Sequence, residues 1–160
     1  MGLLIYLSMN VQLTKNFNLK EFEKSAKAVT LGIDNTAPES ARVALYDLCV
    51  NVLQPVRDWC GAPVYISSGY RCPRLNRALT GASSKSQHMK GQAADFYIDT
   101  RKCKYSMLDV FKYIKTSLVF DQLIYETRAG GRCWIHVSYV SCRTNRRQSL
   151  RCDGFANYLY

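Results

Sequence analysis

The sequence contains only two histidines, and the first, His88, lies in the polar stretch 84–99 that most constrains the fold. Asp95 follows seven residues later, after Gly91 and a run of small residues. The next three residues, FYI, are aromatic or β-branched and favour a strand. The pattern therefore predicts a loop that carries His88, a glycine turn, and a strand whose inward face carries Asp95.

A buried carboxylate beside apolar side chains is costly unless a cation meets it. One solution is an ordinary one, in which Asp95 caps a turn or pairs with a nearby arginine and His88 is a loop residue. The spacing alone favours this interpretation, because a histidine and an aspartate seven residues apart are a frequent coincidence. The other solution is a shared metal ion, since imidazole and carboxylate are both good zinc ligands.

The second histidine shifts the balance toward a metal. His136 lies in the alternating run WIHVSYV, which predicts a strand on which it shares a face with Trp134 and Ser138. Catalytic zinc sites typically use three protein ligands and keep the fourth position for water. The predicted cofactor is therefore Zn²⁺, and its predicted ligands are His88, Asp95 and His136.

The stretch SQHMKGQAAD, residues 86–95, resembles the S-x-H-x-x-G-x-A-x-D signature of the M15 peptidases. These are zinc D-alanyl-D-alanine carboxypeptidases and L-alanyl-D-glutamate endopeptidases that cut peptidoglycan stem peptides. Three further stretches are similar to the family: ISSGYR before the signature, WIHVS after it, and an opening FNLKEF like that of the phage and prophage branch. The resemblance runs from about Phe17 to Val140 and implies a single zinc peptidase domain over residues 17–160.

The resemblance also implies roles for two residues that contact substrate. Arg71 matches the arginine that holds a substrate carbonyl or carboxylate oxygen in relatives, and it is also predicted to be catalytic, because it would steady the developing oxyanion. A planar guanidinium suits this role because it donates paired hydrogen bonds to such oxygens. Ser86 is assigned to substrate binding, with a hydrogen bond to an outer group such as a ligand carboxylate.

Glu126 is predicted to be the catalytic base. It ends the strand-like run QLIYE, and a hairpin would bring it near His136, where a carboxylate can accept a proton from the attacking water. Several M15 relatives instead carry the base in an E-x-x-H motif, at the position that Cys133 occupies here. The similar hedgehog signalling domains have their glutamate further upstream, after a tyrosine, as in this chain. The alternative is that Glu126 pairs with Arg128 or Arg132 at the end of the hairpin.

Charge and composition limit the partners. Hydrophobic residues make up 48% of the 160 residues and charged residues 21%, as in one globular domain. The net charge of +10 suits a polyanion, which could be nucleic acid, anionic lipid or cell wall. No nucleic-acid-binding module is recognisable, so we expect anionic wall polymers to bind the basic surface and the peptidoglycan stem peptide to be the substrate, with no nucleic acid partner.

The seven cysteines and the N-terminal residues are the features that bear on where in the cell the protein is made. An odd number of cysteines without C-x-x-C spacing indicates reduced thiols in a protein made in a cytoplasm. Residues 1–16 are expected to form a tail or strand, because the apolar start lacks a basic region and a cleavage site and is too short to span a bilayer. The expectation is a monomer without a conventional signal peptide, made in the bacterial cytoplasm and acting at the cell wall or periplasm.

The pattern of elements predicts an α+β fold in which helices pack on a small, mainly antiparallel sheet, similar to the zinc fold of hedgehog domains and D,D-peptidases. A capping box at Asn18 predicts a helix to about Ala28. A later helix is expected to be kinked at Pro55 and to end at Gly61. The basic segment 143–152 is expected to add an edge strand.

Together these features predict a zinc-dependent peptidase that hydrolyses an amide bond of the stem peptide. The phage-like opening favours a phage or prophage endolysin, of the L-alanyl-D-glutamate endopeptidase or the D-alanyl-D-alanine carboxypeptidase type. The alternative is a catalytically silent zinc domain that binds cell wall or a protein partner, since the glutamate of the E-x-x-H motif is missing.

Overall fold

A computed structural model describes residues 11–153 and 157–159. Of the predicted N-terminal tail or strand, residues 1–10 lie outside the described residues. The strands are β1 (Gln12–Thr14), β2 (Phe17–Asn18), β3 (Val64–Ser68), β4 (Ala93–Ile98), β5 (Gln122–Thr127), β6 (Cys133–Ser138), β7 (Gln148–Cys152) and β8 (Asn157–Leu159). The helices are α1 (Leu19–Glu23), α2 (Ala26–Thr30), α3 (Glu39–Leu48), α4 (Gln54–Cys60), α5 (Pro73–Arg77) and α6 (Met107–Ser117).

Strands β3 to β8 form one sheet in the order β3-β4-β6-β5-β7-β8, and β1 pairs with β2 separately. All neighbours in the larger sheet are antiparallel except β5 and β7. The predicted α+β fold with a mainly antiparallel sheet is therefore confirmed. The predicted edge strand in the basic segment is wrong in position, because β7 lies inside the sheet between β5 and β8.

The two faces of the sheet have different roles. Phe96 and Ile98 of β4 and Ile135 of β6 are buried in a core that also includes residues of α3, α4 and α6. Asp95 and His136 alternate with these residues and therefore lie on the other face. The expectation that Asp95 points inward is wrong, because the strand period of two places it opposite the core-facing Phe96.

The helices depart from the sequence prediction in two places. The capping box at Asn18 is present, but the helix ends at Glu23 and a second one begins at Ala26, with the Ser25 hydroxyl accepting a hydrogen bond from its first turn. Before α4, the backbone forms a π-helical turn over Cys49–Leu53. Pro55 lacks the N–H that a regular helix would use at this point, and the wider turn accommodates that loss.

Two glycines allow the segment that carries His88 to pack tightly on the helices. A Cβ at Gly69 would lie 2.6 Å from the Cα atom of Phe22, and one at Gly91 would collide with the backbone carbonyl of Ala41 in α3. Gly91 also has a φ of +69°, which residues with a side chain rarely adopt. The turn after His88 is thus fixed directly against α3.

Each of the seven cysteines is a free thiol. None of the helices formed by residues 11–153 is both long and apolar enough to cross a membrane.

We predict that Gly91→Ala lowers the free energy of unfolding by about 3 kcal/mol, because strained backbone and a steric collision add together. Gly32→Ala is the matched control: Gly32 has a φ of +59° but nothing within 4 Å of an added Cβ. Its expected cost is about 1 kcal/mol. Urea unfolding of both variants measures the difference, and equal costs would contradict the close packing of Gly91 on α3.

Candidate active site

The register of β4 and β6 brings two of the predicted metal ligands together. Asp95 lies directly opposite His136 in the antiparallel pair, on the face of the sheet away from the core. Directly opposed side chains on one face have Cβ atoms about 5 Å apart, so these two could bind the same metal ion. His88 reaches them from a short 3₁₀ helix, Gln87–Lys90, that immediately precedes β4.

The three predicted ligands form one compact group. Nδ1 of His136 lies 2.8 Å from Oδ1 of Asp95 and 3.3 Å from Nε2 of His88. Nε2 of His88 is also 3.3 Å from the same aspartate oxygen. Donor atoms at tetrahedral zinc distances lie about 3.3 Å from one another. The donor types and their spacing therefore fit a zinc ion held by His88, Asp95 and His136.

A backbone contact sets the tautomer of His88. Its Nδ1 lies 2.7 Å from the carbonyl oxygen of Gly69, which can only accept, so Nδ1 carries the proton. The lone pair of Nε2 then faces Asp95 and His136. Burial lowers the pKa of His88, although Asp95 opposes this effect. The neutral imidazole required of a metal ligand is the favoured form.

Arg71 completes the surroundings of Asp95. Its Nη2 donates to Oδ2 of Asp95 at 2.9 Å, and its Nε donates to the Ser68 hydroxyl at 2.9 Å. Burial alone would raise the pKa of Asp95, but His88, His136 and their hydrogen bonds hold it well below its usual range. The two interpretations of Asp95 are thus compatible, since one oxygen faces the histidines and the other faces an arginine.

Glu126 lies on the same face of the sheet as His136. It is opposite Trp134 in the β5–β6 hairpin, one pleat away from the Ile124–His136 pair. Burial raises the pKa of Glu126, and the nearby Asp95 carboxylate raises it further. Nη2 of Arg128 lies 3.5 Å from its Oε2, so the predicted pairing at the hairpin end is also present.

Cys133 does not replace the missing carboxylate. It lies three residues before His136 on the same strand, and strand alternation therefore directs it to the other face. There it packs, partly buried, against the core. Among the described residues, the acidic side chains that line the cleft are Asp95 and Glu126. Asp95 is a predicted ligand, so Glu126 is the carboxylate that remains beside the ligand group.

A cleft of about 770 Å³ contains the ligand group and the predicted residues around it. Its lining includes His88, Asp95, His136, Arg71, Ser86 and Glu126. The structure thus brings every sequence-predicted site residue to one cavity. The hydrogen bond to the ligand carboxylate that was expected from Ser86 comes from Arg71 instead. The assigned roles in binding and catalysis stay predictions.

Sequence reasoning missed a buried carboxylate at one end of this cleft. Asp121 is fully buried immediately before β5 and accepts hydrogen bonds from Arg143 and Arg146. It also accepts from Gln87, the residue before His88. The available signal was an aspartate between Phe120 and a strand, in a chain with a basic segment further on. Nothing local in the sequence indicates that the two segments meet.

The fold and the cleft present three side chains that could hold a metal ion, and comparison with known families gives the class of protein. Residues 15–138 match the family described as Peptidase M15. The match covers more than half of the chain, so the protein belongs to the M15 peptidases, a family of hydrolases that are typically zinc-dependent. No curated protein matches the sequence.

We predict that the purified protein holds about one zinc ion per chain and that His88→Ala, Asp95→Ala and His136→Ala each lose most of it, because three ligands leave no spare. Metal analysis after dialysis measures the content. Ser86→Ala is the control, since Ser86 lines the cleft without belonging to the ligand group. Full zinc occupancy in all three ligand variants would exclude this site.

Proposed function

We propose that this protein is a zinc-dependent peptidase that hydrolyses an amide bond in the stem peptide of bacterial peptidoglycan. The observation that carries the proposal is the group of three donor atoms on one open cleft, with the Glu126 carboxylate beside it, in a chain of the M15 family. Zinc, when bound, supplies a Lewis acid that polarises the reacting groups.

Glu126 is the proposed general base. In this role its carboxylate accepts a proton from the attacking water and then delivers it to the nitrogen of the leaving amine. Its raised pKa strengthens it as a base at neutral pH. The base is active while ionised, so activity is lost as pH falls through that raised pKa. The charges of His136 and of Arg128, whose side chain is 40% exposed, limit this rise.

Arg71 has two proposed tasks. It holds Asp95 in place through Oδ2, as outer partners of metal ligands commonly do. It also lines the cleft, where the rest of its guanidinium can donate to a substrate carbonyl or carboxylate oxygen. Replacing Arg71 is therefore expected to weaken both metal binding and substrate positioning.

The finer assignment is a phage or prophage endolysin. L-alanyl-D-glutamate endopeptidase activity fits better than D-alanyl-D-alanine carboxypeptidase activity, because the opening FNLKEF resembles the phage branch. We propose that the protein is made in the bacterial cytoplasm and acts as a monomer at the cell wall or periplasm. The net charge of +10 would supply wall attraction.

Glu126→Gln is predicted to keep full zinc and lose roughly a hundred- to ten-thousand-fold in turnover, because an amide cannot accept the proton. Mass spectrometry of purified muropeptides after digestion identifies the bond and measures the rate. Glu39→Gln is the control, because it removes an exposed carboxylate at the start of α3, outside the cleft.

Two outcomes would contradict the proposal in different ways. Near-parent turnover in a fully zinc-loaded Glu126→Gln protein would exclude Glu126 as the base. A parent protein that binds zinc and wall but cuts no muropeptide would favour the silent zinc domain.

We also predict that binding to isolated cell walls weakens clearly between low and physiological salt. The basic surface acts through long-range attraction, and the screening length falls from about 30 Å at 0.01 M to about 8 Å at 0.15 M ionic strength. Co-sedimentation with walls at the two salt concentrations measures the bound fraction. Retention that does not change with salt would indicate a specific pocket in place of the basic surface.

A further inference from the structure

One end of the cleft is cationic and has no part in the proposed chemistry. Arg143 and Arg146 line it and meet around the buried Asp121; these two residues are called the arginine pair below. Lys85 and Lys90 line the same cleft. The arginine pair also lies beyond residues 15–138, the part of the chain that matches the family.

Asp121 holds the arginine pair in a fixed geometry. Its Oδ1 accepts from Nη1 of Arg143 at 2.8 Å and from the backbone N–H of Arg146 at 3.0 Å. Its Oδ2 accepts from Nε and Nη2 of Arg146 at 3.0 and 2.7 Å and from Nε2 of Gln87 at 3.1 Å. Although burial opposes ionisation, these hydrogen bonds hold the pKa of Asp121 well below its usual range. The carboxylate is saturated, so it orients the guanidinium groups.

The arginine pair retains both charge and donors for a ligand. Two guanidinium groups share a single carboxylate, which leaves a positive charge in excess. Their side chains are 45% and 50% exposed, while Asp121 is 0% exposed. Among the described residues, Nη2 of Arg143 and Nη1 of Arg146 make no hydrogen bond. A planar anion in the cleft could therefore accept from groups that are already oriented.

The position of Asp121, which holds the arginine pair, sets the scale of the distance between the pair and the ligand group. Asp121 precedes β5, and Ile124, three residues further, is opposite His136. At strand spacing this places Asp121 about 10 Å from the ligand group along the sheet. An extended peptide covers that distance in about three residues.

We propose that the arginine pair is a subsite for a carboxylate group of the substrate peptide, about two to three residues from the bond that is cut. A carboxylate matches it because guanidinium groups bind carboxylates through paired, charge-assisted hydrogen bonds. The inference rests on the proposed peptidase function, since it deepens that function by assigning one determinant of specificity.

The test compares two synthetic stem-type peptides that differ only in one acidic residue, present as the carboxylate or as the carboxamide. Zinc-loaded parent protein should show a kcat/KM about tenfold to a hundredfold higher for the carboxylate peptide. The difference should arise from a lower KM, because the subsite acts in binding. Arg143→Gln should remove most of this preference, measured as the ratio of kcat/KM for the two peptides. It is the variant of choice because Arg146 keeps its own hydrogen bonds to Asp121.

Lys112→Gln is the charge-matched control. Lys112 is exposed on α6, on the core side of the sheet, and does not line the cleft. It should retain the preference at equal ionic strength. Thermal unfolding of both variants shows that the fold is kept. If Arg143→Gln does not fold, Arg146→Gln takes its place, and the absence of a preference in the parent protein overturns the subsite without any variant.

Equilibrium binding separates this inference from the proposed function. Both peptides are titrated into zinc-loaded Glu126→Gln protein, with and without Arg143→Gln. Tighter binding of the carboxylate peptide that disappears with Arg143→Gln supports the subsite even if the parent protein cuts neither peptide. Equal binding and equal cleavage of the two peptides by protein with intact Arg143 would overturn the subsite while leaving the peptidase assignment in place.

Discussion

The candidate site depends on the two carboxylate oxygens of Asp95, which contact different partners. The antiparallel register of β4 and β6 places Oδ1 against both histidines, while Oδ2 accepts from Arg71. A carboxylate in such a partly buried position needs cationic or hydrogen-bonding partners on both sides. Asp95 therefore couples the metal-binding group to Arg71 on the cleft wall. A change in the position of Arg71 is expected to shift the carboxylate that faces the two histidines, and the reverse also holds.

The third ligand depends on packing outside the sheet. His88 is fixed by the carbonyl of Gly69, and the turn after it is fixed by the contact of Gly91 with Ala41. Gly69 in turn lies against the backbone of Phe22. The helices before β3 thus contribute no side chain to the ligand group, yet they determine where the imidazole stands. Ligands held in this way are oriented before any ion arrives.

Much of this arrangement could be predicted from the sequence, because it is encoded locally. Strand alternation placed His136 opposite the core-facing Ile135, the capping box located α1, and the motif around His88 identified the family. The predicted face of Asp95 is wrong because a polar cleft, and not only an apolar core, can bury a carboxylate. Contacts between distant segments leave no local pattern in the sequence. An arginine partner for Asp95 is therefore predicted without its identity, Arg71, and the pair of Arg146 with Asp121 is not predicted at all.

The pairing of Asp121 with residues 22 and 25 positions downstream affects the order in which the protein folds during synthesis. Before Arg143 and Arg146 are made, closing the sheet would bury an ionised carboxylate without its counter-charges. Strands β4, β5 and β6 are complete earlier, since β6 ends at Ser138, eight residues before Arg146. At about 5–20 residues per second their final packing must wait roughly half a second to two seconds more. The cleft therefore reaches its working shape only when the segment after β6 has left the ribosome, which delays the appearance of a competent site on a growing chain.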